Sequence, residues 1–92
     1  MAITVILADD HPLTRAGLRS YLEKDSEICL IGEAEDGSQA WDMIQELQPQ
    51  VALLDIRMPK QDGVRVTRMV KEADLPVAVI ILTSYDAQQY VL

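Results

Sequence analysis

Three aspartates and one threonine each follow a short apolar run of the sequence. Asp9 and Asp10 come directly after the first run, Asp55 after the third and Thr83 after the fourth. If a fold brings three carboxylates together, they repel, since two unit charges about 4 Å apart interact by roughly 4 kcal/mol at an effective dielectric near 20. Such a cluster stays ionised only when a cation neutralises it; otherwise one carboxyl keeps its proton with a raised pKa. Ligands that are all oxygen, with room for water, favour Mg²⁺ or Mn²⁺.

A carboxylate beside such a cation is a competent nucleophile towards phosphorus, because the cation also neutralises charge on the transferring phosphoryl group. The hydroxyl of Thr83 can hydrogen-bond a phosphoryl oxygen. The alternative is that these side chains are ordinary solvated loop residues. An Asp-Asp pair, a single Asp and a Thr at three strand ends favour the site, provided that the strands are parallel.

The elements that must position these residues alternate between two patterns. Four short apolar runs, at 3–8, 28–31, 51–54 and 77–82, are separated by segments with helical periodicity. Ser38 is a predicted N-cap of the second helix, and a fourth helix is predicted to begin near residue 84. The order βαβαβαβα, with strands apolar on both faces, predicts one α/β domain over residues 1–92 with a parallel sheet covered on both sides. Right-handed crossovers then place every strand's carboxyl end on one edge.

Composition excludes several classes of function. The chain has 92 residues, 49% of them apolar, and a formal charge of −7, which argues against nucleic-acid binding by this segment. No apolar run approaches the roughly 18 residues of a membrane span, and no signal peptide precedes the first strand. The single Cys29 cannot form an internal disulfide and is predicted to be a small core residue. A cytoplasmic location is the resulting expectation.

The chain resembles the receiver domain of two-component response regulators, and more narrowly receivers of the NarL/LuxR type, whose output domain is a helix-turn-helix. The resemblance extends from residue 3 to the last residue. The motifs that carry it are Ile6-Leu7-Ala8-Asp9-Asp10-His11-Pro12, Leu53-Leu54-Asp55-Ile56-Arg57-Met58-Pro59, Asp62-Gly63 and Ile81-Leu82-Thr83-Ser84. It implies a flavodoxin-like, doubly wound parallel sheet.

The resemblance also implies a role for each matching residue. Asp55 corresponds to the phosphorylated aspartate, Asp10 to the direct Mg²⁺ ligand and Asp9 to a ligand acting largely through water. The main-chain carbonyl of Arg57 corresponds to the third protein ligand, and Thr83 to the hydroxyl that moves to the phosphoryl group. A sensor histidine kinase is the implied donor. The domain is expected to catalyse only its own phosphotransfer and dephosphorylation, and to control a DNA-binding output domain beyond residue 92.

The sequence departs from the family pattern at its C-terminal end. The family has a fifth strand, which carries a lysine, and a fifth helix; these 92 residues contain neither, so we expect a truncated receiver with four of five strands. Lys60 and Lys71 do not substitute by position. The run at 77–82 would then form an exposed sheet edge, which predicts self-association. Without the lysine, Asp55 is expected to bind Mg²⁺ but to accept phosphate slowly.

Two rival functions follow from the same residues. One is a phosphorylation-independent interaction domain that keeps the acidic pocket by descent. The other is an Mg²⁺-dependent phosphohydrolase with an aspartyl nucleophile; such enzymes usually carry a second aspartate two residues after the nucleophile, where this chain has Arg57.

His11, beside the acidic pair, is predicted to shape the first turn rather than to bind the metal, because imidazole is a softer ligand than this site needs.

Overall fold

The computed structural model describes residues 2–82, in which four strands alternate with three helices. The elements, in chain order, are β1 (Ile3–Ala8), α1 (Pro12–Leu22), β2 (Ile28–Ala34), α2 (Gly37–Leu47), β3 (Val51–Asp55), α3 (Gly63–Glu72) and β4 (Ala78–Leu82). The predicted alternation is therefore confirmed up to β4. The predicted fourth helix lies outside the described residues.

The four strands form one parallel sheet in the order β2-β1-β3-β4. This order matches the flavodoxin-like prediction for these strands, with β1 and β3 in the middle and β4 at one edge of the described sheet. The connection from β1 moves one way along the sheet and the connection from β2 moves back, so the strand order reverses between β1 and β3. In open α/β sheets, ligands bind at the carboxyl ends of the strands beside such a reversal.

The core explains why the central strands are apolar on both faces. Ile6 and Leu54 are fully buried and belong to one cluster with Ile44 of α2 and Val66 of α3, while Leu7, which alternates with Ile6 along β1, is also fully buried. Because right-handed connections that run in opposite directions cover opposite faces, α1 covers the face of Leu7, and α2 and α3 cover the other. None of the helices described in residues 2–82 has the length and apolar character needed to cross a bilayer.

Two local predictions are wrong. Ser38 is not the N-cap of α2, since the helix begins at Gly37 and the Asp36 carboxylate accepts a hydrogen bond from the Gln39 N–H at 2.8 Å. Cys29 is exposed rather than part of the core. The reason is that β2 is an edge strand, so most of its residues are only partly buried instead of being enclosed on both faces.

Candidate functional site

The sheet brings the three predicted carboxylates to one place. Asp9 and Asp10 follow the last residue of β1, and Asp55 is the last residue of the neighbouring β3. One ligand atom from each of these aspartates and from His11 lies within 4.8 Å of all the others. Residues separated by more than forty positions in the sequence therefore form one acidic pocket at the carboxyl edge.

The main-chain N–H, the main-chain carbonyl and the carboxylate of Asp9 each form a hydrogen bond. Its main-chain N–H donates to the carbonyl of Ala34 at 3.1 Å, and its carbonyl accepts from Nη1 of Arg15 at 2.7 Å. Its Oδ1 accepts from the His11 main-chain N–H at 2.8 Å and lies 3.2 Å from His11 Nδ1. The Asp9 side chain is thus buried in a fixed orientation.

His11 forms the turn between β1 and α1. It is the N-cap residue of α1, in extended conformation, and Pro12 follows in the first helical turn. The hydrogen bond to Asp9 and, next, the negative charge of Asp10 raise the pKa of the largely exposed imidazole. His11 therefore shapes the first turn, as the sequence predicts.

Asp10 carries an unsatisfied acceptor. Its Oδ1 is buried and accepts no hydrogen bond from any residue in 2–82, although His11 Nδ1 lies 3.0 Å away in ion-pair contact. Leaving a buried carboxylate oxygen without a hydrogen bond costs on the order of 1–3 kcal/mol or more. Native structures rarely tolerate such an atom unless a water or an ion satisfies it.

Asp55 is nearly buried, with 7% of its surface exposed. Burial and, next, the negative charge of Asp9 raise the pKa of its carboxyl, while hydrogen bonds from the main-chain N–H groups of Arg57 and Ile56 partly offset the rise. A raised pKa is expected where carboxylates share a site without a counter-charge. Three carboxylates whose oxygens lie within 4.8 Å of one another, one of them with an unsatisfied oxygen, form a donor set that fits a hard divalent cation such as Mg²⁺.

The loop after β3 runs close against the site. The N–H of Gly63 donates to the carbonyl of Ile56 at 3.1 Å, and a Cβ at Gly63 would collide with the main-chain carbonyl oxygen of Asp55. Asp62 caps α3 by accepting from the Arg65 N–H at 2.7 Å. Arg57 lies in this loop, two residues beyond Asp55; the ligand role of its carbonyl stays a prediction.

The start of α2 holds the same loop from the other side. The N–H of Gly37 donates to the carbonyl of Pro59 at 3.3 Å, and a Cβ at Gly37 would collide with the carbonyl oxygen of Gln61. Lys60, in left-handed conformation with φ 71°, pairs with Asp36 at 3.6 Å. The sequence suggests a turn at Glu35-Asp36-Gly37, but it does not reveal this close contact of Gly37 with the loop, and Gly37 is instead the first residue of α2.

Arg15 was also missed. Its sequence context, a basic residue one turn into the helix that follows the acidic pair, does not reveal its partner, because that partner is a main-chain carbonyl. Thr83, the predicted switch hydroxyl, lies outside the described residues, so its role stays a prediction.

The model of the response regulator receiver domain family matches residues 5–92. The chain belongs to this family, and it is therefore a receiver domain of the two-component response regulators. This agrees with the parallel sheet and with the acidic pocket at its carboxyl edge.

The chain is similar to regulators of the class that the sequence motifs indicated. It is 39% identical over 84 residues to the transcriptional regulatory protein NarL of Mycobacterium tuberculosis, covering 91% of this chain and 39% of that protein. It is 43% identical over 86 residues to the response regulator VraR of Staphylococcus saprophyticus, covering 92% of this chain and 41% of that protein. The chain thus spans about two fifths of the length of these relatives.

A solved structure shows the same fold. The signal receiver domain of NarL from Mycobacterium tuberculosis superposes with a TM-score of 0.88 at 37% identity, over 96% of this chain and 77% of that one.

Proposed function

We propose that this chain accepts a phosphoryl group on Asp55 from the phosphohistidine of a sensor histidine kinase. A carboxylate oxygen of Asp55 forms the new bond to phosphorus, and the bond from phosphorus to the donor's imidazole nitrogen breaks, leaving its electron pair on the imidazole. The observation that supports this most strongly is the nearly buried Asp55 carboxylate in one cluster with Asp9 and Asp10.

Asp9, Asp10, Asp55 and the Arg57 carbonyl would hold Mg²⁺, or Mn²⁺ in its place. When bound, the cation supplies positive charge that neutralises the carboxylates and the phosphoryl oxygens. The other tasks fall to the protein. Main-chain N–H groups of Ile56 and Arg57 orient the Asp55 carboxylate, and the Thr83 hydroxyl is assigned to a phosphoryl oxygen.

Incubation with acetyl phosphate and MgCl₂, followed by intact-mass spectrometry, tests the proposal. We expect the unsubstituted chain to gain one phosphoryl group, in a linkage that hydroxylamine cleaves, and Asp55→Asn to gain none. Asp62→Asn is the matched control, because it makes the same change in the loop that follows Asp55 and asparagine can still cap α3. Equal labelling of the unsubstituted chain and Asp55→Asn would reject Asp55 as the acceptor.

The proposal assigns no external substrate to the chain. A phosphohydrolase would need a general acid beside the nucleophile, and the sequence offers Arg57 two residues after Asp55. We expect the chain to release at most one phosphate per protein molecule in a single cycle of labelling with acetyl phosphate. We also expect it not to hydrolyse p-nitrophenyl phosphate.

We further propose that the chain serves a transcription regulator whose DNA contacts lie outside this acidic segment. The relatives named above are regulatory proteins of more than twice its length, and the charge of −7 disfavours phosphate backbones as partners of the receiver itself. Self-association through the β4 edge stays a prediction, which light scattering of the chain at high concentration tests.

A further inference from the structure

Arg15 connects α1 to the acidic pocket through the main chain. Its side chain is only 16% exposed, and its Nη1 donates to the carbonyl oxygen of Asp9 at 2.7 Å. The guanidinium therefore contacts the loop that carries Asp9 and Asp10, but it bonds a neutral carbonyl and not a carboxylate of the cluster.

The charge of Arg15 is balanced by two carboxylates outside the acidic cluster. Its Nε lies 3.4 Å from Glu33 of β2, and its Nη2 lies 3.8 Å from Glu35. Glu33 is held in turn by Arg19, whose Nη1 contacts both carboxylate oxygens at 3.0 and 3.1 Å. Glu33 of β2 thus contacts the guanidinium groups of both Arg15 and Arg19 of α1.

The hydrogen bond to the Asp9 carbonyl has a consequence for Asp10. The carbonyl of Asp9 and the N–H of Asp10 belong to one planar peptide unit, so a partner that fixes the carbonyl also fixes the direction in which the chain enters Asp10. The Asp9 N–H is already bound to Ala34. With both sides of Asp9 held, the Asp10 carboxylate, whose buried Oδ1 accepts no hydrogen bond from the described residues, is directed into the pocket.

We propose that Arg15 is a positioning residue for the cation ligand Asp10, acting through the Asp9–Asp10 peptide unit. The inference rests on the proposed function, in which this pocket holds Mg²⁺. Groups that orient metal ligands without touching the metal typically change affinity by about 10- to 100-fold when they are removed.

The direction in which Mg²⁺ affinity changes when Arg15 is removed distinguishes a positioning role from an electrostatic one. A positive charge near a cation site repels the cation, so removing Arg15 would tighten Mg²⁺ binding if its charge were what mattered. If Arg15 instead orients the Asp10 carboxylate, its removal weakens Mg²⁺ binding. Arg19 provides the matched control, because it lies one turn further along α1 and pairs with the same Glu33, while Arg15, not Arg19, bonds the Asp9 carbonyl.

The test is isothermal titration calorimetry with MgCl₂ on the full 92-residue chain, with circular dichroism to verify folding. For Arg15→Gln we expect a Kd for Mg²⁺ raised about 10-fold or more. For Arg19→Gln we expect a much smaller change in Kd, because Glu33 keeps its own contact with Arg15 and the bond from Arg15 to the Asp9 carbonyl is untouched. Arg15→Lys keeps the charge and the helix packing, but its single ammonium group will pair with Glu33 in preference to a neutral carbonyl. We therefore expect it to raise the Kd as well.

An unchanged or lower Kd in folded Arg15→Gln overturns the role of Arg15. If Arg15→Gln does not fold, Arg15→Lys decides by the same criterion. A rise of equal size in Arg19→Gln would also overturn it, since the effect would then come from the Glu33 network as a whole. If the unsubstituted chain binds no Mg²⁺, both the cation site and the role of Arg15 are refuted. If it binds Mg²⁺ and the Arg15 substitutions leave the Kd unchanged, only the positioning role is refuted.

Discussion

At the scale of single residues, some side chains of the acidic pocket can be predicted from the sequence and others cannot. Asp9, Asp10 and Asp55 are visible because acidic residues directly after apolar runs are unusual enough to suggest a site. Arg15 is not visible in this way, because its partner is a main-chain carbonyl. Any residue has a carbonyl, so no pattern of side-chain types predicts which one an arginine will bind.

Asp55 is expected to destabilise the metal-free fold at neutral pH. Its pKa is raised in the folded state, so the folded chain binds the proton more tightly than the unfolded chain, and stability falls as pH rises from the unfolded pKa through the folded one. Without Mg²⁺, Asp55→Asn should therefore raise the free energy of unfolding at pH 7. Urea unfolding at a series of pH values measures this.

The advantage of Asp55→Asn should shrink as pH falls below the folded pKa, because the native carboxyl is then already neutral. Saturating MgCl₂ should reverse the order of stability at pH 7, since a ligand that binds only the folded state stabilises it by mass action. An Asp55→Asn variant that is less stable than the unsubstituted chain at pH 7 without Mg²⁺ would contradict this account.

At the scale of elements, the position where α2 begins was mispredicted for an identifiable reason. Asp36 and Ser38 are both good N-cap residues. The choice between them depends on a tertiary contact: the residue at the first helical position packs against the carbonyl of Gln61, where no Cβ fits. Gly37 must therefore occupy that position, which makes Asp36 the cap. Local sequence preference does not contain this information.

Gly37→Ala should disturb both α2 and the loop that follows the acceptor aspartate. The new methyl group would collide with main-chain atoms of Gln61, which cannot move away as a flexible side chain can. We expect a loss of about 1–3 kcal/mol in the free energy of unfolding. Gly17→Ala is the control: apart from its own helix, no described atom lies within 4 Å of the added group, and alanine in place of glycine should stabilise α1 by roughly 0.5–1 kcal/mol. Equal stabilities of the two variants in urea would show that the contact at Gly37 is unimportant.

At the scale of the whole molecule, the sheet order could be predicted from the resemblance to receiver domains but not from the apolar runs themselves, since the run at 77–82 forms the edge strand β4. The central strand β1 is buried on both faces from Val5 to Ala8, whereas β3 is buried on one face and partly buried on the other. The apolar run of β2 is typical of a central strand, but β2 lies at an edge of the sheet. This is why the prediction that Cys29 is a core residue was wrong. Edge position depends on the order in which strands pair, and the composition of one run does not encode that order.

Leu54→Ala tests the core that supports the pocket. Leu54 is fully buried in β3, next to Asp55, and its truncation should lower the free energy of unfolding by about 2–5 kcal/mol. Leu13→Ala makes the same chemical change at a residue that is 89% exposed on α1, and it should fall within about 0.5 kcal/mol of the unsubstituted chain. Thermal unfolding compares the two; a similar shift in both would contradict the assignment of the core.

The pairing of β1 with β3 also determines when the acidic pocket can exist during folding. β1 pairs with β2 across a short connection, but its pairing with β3 closes a loop that includes all of β2 and α2. Closing this longer loop costs more chain entropy than closing the shorter one. Contacts between residues distant in sequence slow folding in the same way. Cation affinity is therefore expected only after β3 has docked, so a folding intermediate that contains β1, α1 and β2 alone would have two of the three aspartates and no pocket.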